Sequence, residues 1–244
     1  MDPRGINMFV ESLGGYKGLD FLEVGCGLGI LTVSNAQHAG RIICIELDAG
    51  LAVAASHTAI KCGLSDKIQI VRGDGLAGVR VARLPIVYSN PPFNIASQLI
   101  VESIKNNNVR NAVVSLQYEV ARKLLAKPGD RDYGRITVIT RIFFNVEWRG
   151  VIPRSWFWPM PKVDAALVSL SRVKTWDWRG ELLEDLLRCM FSSKNKLASK
   201  VASNCLEALG CRGASMNWLG SKRVRSLTLH DIEEILGVAV ECIG

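Results

Sequence analysis

Glu23-Val24-Gly25-Cys26-Gly27-Leu28-Gly29 lies between an apolar run at residues 18–24 (GLDFLEV) and a helix-period stretch at residues 29–38. The run reads as a buried strand. The glycines let the chain turn tightly and let a ligand approach main-chain amides with no Cβ in the way. Many nucleotide binders share such a strand–turn–helix, and a turn that only packs has the same look. The neighbours of this turn decide the matter.

Outward from it, strands are expected at residues 41–46 (RIICIE), 67–72 (KIQIVR), 84–89 (LPIVYS) and 109–116 (VRNAVVSL), with helices at 49–62 and 95–106. Strands apolar throughout, alternating with helices, predict a mostly parallel Rossmann-like sheet covered on both faces. Two later β-type runs, 143–152 and 163–171, have no helix between them and predict an antiparallel edge. After residue 173 the alternation gives way to helix-period segments at 178–191, 196–209 and 228–240, with Thr228 as N-cap of the last. The expected division is a Rossmann-like α/β domain at residues 1–172 and a small all-helical domain at 173–244.

Two acidic positions repeat the strand-tip placement of the glycine turn. Glu46 ends the second strand, where a carboxylate accepts hydrogen bonds from ribose hydroxyls and repels a ribose phosphate. Asp74, between Gly73 and Gly75 after the third strand, can accept from an adenine amino group; a plain Asp-Gly turn is the bland alternative. Together with E-x-G-x-G-x-G these positions look like the class I S-adenosylmethionine-dependent methyltransferase fold.

Ser89-Asn90-Pro91-Pro92-Phe93 follows the fourth strand. An adenine amino group is a poor nucleophile because its lone pair is conjugated into the ring. The Asn90 side-chain oxygen and the Pro91 carbonyl, accepting its two N–H bonds, localise that lone pair toward a methyl donor. Phe93 offers a stacking face. Positioning and electrostatics suffice, without a general base. A base stacked in a helix cannot enter this geometry, so the target is unpaired or flipped out.

The 244 residues carry a net charge of +7, which favours polyanionic partners. No apolar run reaches bilayer-spanning length, and the first residues lack the layout of a signal peptide; the expected location is cytoplasmic. Seven cysteines without a CxxC pair, and three scattered histidines, predict buried thiols rather than disulfides or zinc, and no metal.

Beyond these motifs, Lys127-Pro128-Gly129-Asp130-Arg131-Asp132-Tyr133-Gly134-Arg135 and Phe157-Trp158-Pro159-Met160-Pro161-Lys162-Val163-Asp164 make the chain resemble the KsgA-type ribosomal RNA adenine dimethyltransferases. Erythromycin-resistance methylases and mitochondrial transcription factor B are relatives of that family. The resemblance implies that Gly25, Gly27 and Glu46 contact the methionine side and ribose of S-adenosylmethionine, with Asp74 at its adenine and Glu23 near its amino-acid end. It implies that Asn90 and the Pro91 carbonyl hold the target amine, between the rings of Phe93 and Phe157. It also implies two methyl additions on each of two adjacent adenosines in a small-subunit ribosomal RNA hairpin. The expected partner is that RNA within a pre-small-subunit particle, and the default oligomeric state is a monomer.

The sequence departs from the pattern in places. It begins at the Asp-Pro that normally follows a basic segment and a cofactor-covering element. It has Asn-Pro-Pro-Phe where Asn-Leu-Pro-Tyr is usual, and Lys194 and Lys196 where relatives carry consecutive arginines. Arg131, Arg135, Lys162, Lys194, Lys196, Lys222 and Arg223 are the expected RNA contacts, although cations on helices are often just solvated faces. Trp156 and Trp158 are expected to pack the proline-rich linker. The rivals are a large-subunit, resistance-type methylase and a non-catalytic assembly or transcription factor on the same fold. DNA adenine methylation is disfavoured by the F-x-P-x-P-K-V-D segment.

Overall fold

The computed structural model describes residues 1–243. It divides into two units, residues 1–121 with 144–173 and residues 122–143 with 174–244. Among the described residues no helix is long and apolar enough to cross a membrane.

In the first unit, α1 (Pro3–Leu13) precedes β1 (Phe21–Val24), α2 (Ile30–Asn35), β2 (Ile42–Glu46), α3 (Ala49–Lys61), β3 (Ile68–Arg72), α4 (Gly75–Val81), β4 (Ile86–Ser89), α5 (Ala96–Lys105) and β5 (Asn111–Gln117). α6 (Tyr118–Leu125) leads out of this unit and α7 (Arg135–Phe143) leads back to β6 (Phe144–Ile152) and β7 (Ala165–Arg172). Seven strands form one sheet in the order β3-β2-β1-β4-β5-β7-β6. The first five are parallel, and β7 pairs antiparallel with both β5 and β6, closing that edge as the sequence predicts.

β1 and β4 are buried along their whole length. Covered on both faces, they read in sequence as continuous apolar runs rather than alternating ones. Around them Phe9, Leu13, Phe21, Ile42, Ile86, Val113 and Leu167 form the core. α1 was not legible as a helix. Its start is a Pro in the first turn, with the Asp2 carboxylate accepting from Arg4 N–H at 2.8 Å.

The second unit holds α7, α8 (Trp178–Phe191), α9 (Ala198–Ala208) and α10 (Leu229–Ile243). The expected boundary at 172/173 falls one residue before the third and last chain crossing, and residues 122–143 group with the helices. Side chains and backbone of that segment find their partners there. Tyr133 Oη donates to Leu227 O at 2.8 Å, Gly129 N–H to Arg225 O at 2.8 Å, and the Phe143 ring lies 5.0 Å from that of Trp176. Thr228 caps α10 through its hydroxyl, which accepts from Asp231 N–H at 3.1 Å, while the Asp231 carboxylate accepts from Thr228 N–H at 2.8 Å.

The expectation of free thiols is corrected. Among the described residues, Cys26 pairs with Cys44 and Cys189 with Cys205 as disulfides. The pairings are tertiary. Parallel register sets Glu23 beside Cys44, which brings the turn after β1 against β2, and the second bridge joins α8 to α9.

Candidate active site

The C-terminal ends of β1, β2, β3 and β4 meet at one edge of the sheet, where open parallel sheets bind ligands. The turn leaving β1 has Gly25 and Gly27 at φ +75° and +53°, a region that side-chain-bearing residues rarely adopt. A Cβ on either would meet no atom within 4 Å, so the backbone faces open space. Gly29 differs, since a Cβ there would approach the Ala55 backbone to 3.0 Å, and its role is to let α3 pack close.

Glu46 holds this turn in shape. Its Oε2 accepts from Gly27 N–H at 2.9 Å and its Oε1 from Asp48 N–H at 3.0 Å. Each carboxylate oxygen has a further lone pair, which suits ribose hydroxyls as second donors. Asp48, not Glu46, caps α3, accepting from Leu51 N–H at 2.8 Å. Asp74 is the N-cap of α4, its Oδ1 accepting from Leu76 N–H at 2.8 Å. The Cys26–Cys44 bridge pins the same turn to β2.

Glu23 is fully buried on β1. Tyr88, its register partner on β4, donates its hydroxyl to Glu23 Oε2 at 2.6 Å, whereas Oε1 is buried without a partner. Burial pushes the carboxyl up to about 7; the Tyr88 and Thr32 hydroxyls pull it back and the Glu46 charge adds to the rise. An orphaned buried carboxylate oxygen behind an open glycine cradle fits an adenosyl cofactor carrying a cationic amino-acid tail.

Beyond β4, the Ser89 hydroxyl donates to Val24 O at 2.6 Å, locking the tips of β4 and β1 together. Asn90 is half-buried, and Ser115 on β5 donates its hydroxyl to Asn90 Oδ1 at 2.5 Å. Pro91 is buried, and Pro92 O accepts from Ile95 N–H at 3.1 Å, closing the turn into α5. Phe93 and Phe157, far apart in sequence, are both half-buried against the same apolar cluster. Trp156 packs there too, with the Arg4 guanidinium 4.4 Å from its ring centre. Trp158 does not pack as expected. It is 92% exposed, because its neighbour Phe157 takes the inward position on the loop.

Tyr88 and Ser115 escaped the sequence reading. The available signal was a single polar residue inside an otherwise apolar strand, since a buried polar group must find a partner.

In the helical unit a cavity of about 550 Å³ gathers Lys196, Lys200 and Arg223 with Asn195 and Asn204, and no carboxylate lines it. A second, of about 350 Å³, holds Arg135, Arg188 and Lys194. Lys222 stands apart from both, its ammonium on Asp231 at 2.8 Å. Arg131 is exposed, and its carbonyl accepts from Lys194 Nζ at 3.2 Å. Lys162 lies exposed in the first unit.

The family model for ribosomal RNA adenine dimethylases matches residues 1–216. A probable ribosomal RNA small subunit methyltransferase A of Aeropyrum pernix is 35% identical over 195 residues, 79% of this chain and 69% of the relative. That of Pyrococcus furiosus is 33% identical over 223 residues, 88% and 79% of the two chains. Among solved structures, a dimethyladenosine transferase from Plasmodium falciparum superposes with a TM-score of 0.82 at 24% identity, covering 96% of this chain and 94% of that one. The 23S rRNA methyltransferase ErmE gives 0.70 at 23% identity, covering 98% of each. Both structures share the fold. The chain belongs to the ribosomal RNA adenine dimethylase family and is an S-adenosylmethionine-dependent methyltransferase.

Proposed function

We propose that this protein methylates, twice in succession, the exocyclic amine of adenosines in small-subunit ribosomal RNA, at the loop that follows β4. The observation that carries the reading is the fixed Asn90 amide beside the glycine turn. Ser89 ties that loop to the tip of β1, and Ser115 holds Asn90 Oδ1 in one orientation.

Bound S-adenosylmethionine supplies a methyl group on a sulfonium, already a good leaving group. Gly25 and Gly27 present backbone to it, Glu46 receives the ribose, Asp74 the adenine, and Glu23 lies behind the amino-acid end. Asn90 Oδ1, with one lone pair taken by Ser115, accepts one N–H of the target amine, and the Pro91 carbonyl accepts the other. Phe93 and Phe157 stack on the base, each such contact being worth ~1–3 kcal/mol. The substrate nitrogen then has its lone pair aimed at the methyl group, and the proton it sheds leaves to solvent.

The helical unit supplies phosphate contacts through Lys196, Lys200 and Arg223, through Arg135 with Lys194, and through Arg131, while Lys162 contributes from the first unit. Lys222 is assigned to α10 capping instead. The protein works as a monomer on a pre-small-subunit particle in the cytoplasm, where burial of Cys26 and Cys44 shields the first disulfide from reductants.

Labelled S-adenosylmethionine with under-methylated small and large subunits together, followed by mapping, tests the proposal. Label in small-subunit adenosines, two methyls each, is expected. Label confined to large-subunit RNA, or none, overturns it.

A further inference from the structure

At the tip of β5, one strand along from the Asn90 loop, lies a cavity of about 430 Å³ lined by Gln117, Tyr118, Glu119, Arg154, Lys162 and Asp164. Its position follows from register. Ser89 at the end of β4 pairs with Val114, and β5 continues three residues further to Gln117, which pairs with Ala165 of β7. The walls are fixed. Tyr118 N–H donates to Asp164 O at 2.9 Å, Arg154 N–H donates to Asp164 Oδ1 at 2.8 Å, and the Tyr118 ring sits edge-on to Trp148 at 5.7 Å.

The charge of this cavity is balanced, with Arg154 and Lys162 against Glu119 and Asp164. Grooves that track a phosphate backbone are cationic throughout, as the one holding Lys196, Lys200 and Arg223 is. A cavity offering an amide and carboxylate acceptors beside cationic donors instead complements the edge of a base. Side-chain amides pair in two places with adenine, and carboxylates accept from the amine of cytosine.

We propose that this cavity holds the base of the nucleotide adjoining the target adenosine, and that Gln117 and Glu119 select one bearing an exocyclic amine. The inference rests on the assignment of the Asn90 loop as the target site. The cavity lies one strand over from the Asn90 loop (~4.8 Å) and two residues further along β5 (~7 Å), a span within the reach of one unstacked nucleotide. Uracil, with no amine to give, leaves the Glu119 carboxylate unmatched and is rejected.

The test uses small subunits reconstituted on transcribed RNA in which each neighbour of the mapped adenosine is changed in turn to uracil. For the wild-type enzyme kcat/KM for transfer to the mapped adenosine itself is expected to fall about tenfold at one of the two neighbours. Gln117→Ala and the near-isosteric Gln117→Glu are expected to show that loss already on natural RNA and to be indifferent to the change. Their cofactor affinity and unfolding midpoint should match wild type. Wild-type indifference at both neighbours, a natural uracil at both, or an undiminished preference in both variants overturns the inference. Failure of the wild type to methylate natural particles overturns the proposed function itself.

Discussion

Ser115 donates its hydroxyl to the Asn90 side-chain oxygen at 2.5 Å, from the strand next to the one whose tip Asn90 extends. Asn90 is partly buried, and no neighbour in sequence orients its amide. The β5 hydroxyl therefore sets the orientation in which the amide would meet the proposed target amine. Ser115→Ala should lower kcat by about tenfold while KM for RNA and cofactor affinity stay within twofold, and Ser115→Thr should restore the rate. Steady-state kinetics check this; equal losses in kcat and cofactor affinity would mean a merely structural serine.

Glu23 gives the protein a pH signature. Its carboxyl is raised from 4.5 to about 7 by burial, so the folded chain holds a proton that the unfolded chain releases. That contribution to stability is full below about 4.5 and is lost as pH rises through about 7. The cofactor-free protein should thus lose melting temperature between pH 5 and pH 7.5, and Glu23→Gln should flatten that slope. Parallel melting curves for the two proteins would contradict it.

Gly27 and Gly29 separate binding from folding. Both have positive φ, but only at Gly29 would a new Cβ press on the Ala55 backbone. Gly27→Ala should cost ~1–2 kcal/mol of stability and abolish cofactor binding, because the methyl fills the open cradle. Gly29→Ala should cost more stability than Gly27→Ala. Calorimetric titration beside thermal denaturation reads both effects.

Lys222 and Lys196 should part in the same way. Lys222→Ala strands the buried Asp231 carboxylate, costing about 1 kcal/mol, or ~2–4 °C in melting temperature, with little change in RNA affinity. Lys196→Ala should leave melting alone and reduce the salt dependence of RNA binding by about one counterion. Binding titrations at several salt concentrations distinguish them.

Elements with local cause were legible in the sequence. The parallel strands show as unbroken apolar runs, and the period of residues 178–191 predicts α8 with both ends in place. Elements whose cause is tertiary were not. α7, with Ile136, Thr137, Val138, Ile139 and Thr140 in a row, has a strand's composition, yet burial among helices overrides it. α4 contains two glycines, and a Cβ on Gly78 would strike Ile45, so close packing rather than helix propensity chose it. The disulfides depend on which strands and helices become neighbours, which separations of 18 and 16 residues do not reveal. Among the proposed site residues the glycine turn, Glu46, Asp74 and Asn90 could be named from motif and position. The Tyr88 and Ser115 hydroxyls could not, because their partners lie on adjacent strands.

Methyl transfer by Asn90→Ala, followed with labelled S-adenosylmethionine on under-methylated small subunits, probes the acceptor loop most directly. Transfer should fall by at least ~100-fold while the variant still binds particles and cofactor as the wild type does. Transfer at near wild-type rates would show that the amine is held elsewhere.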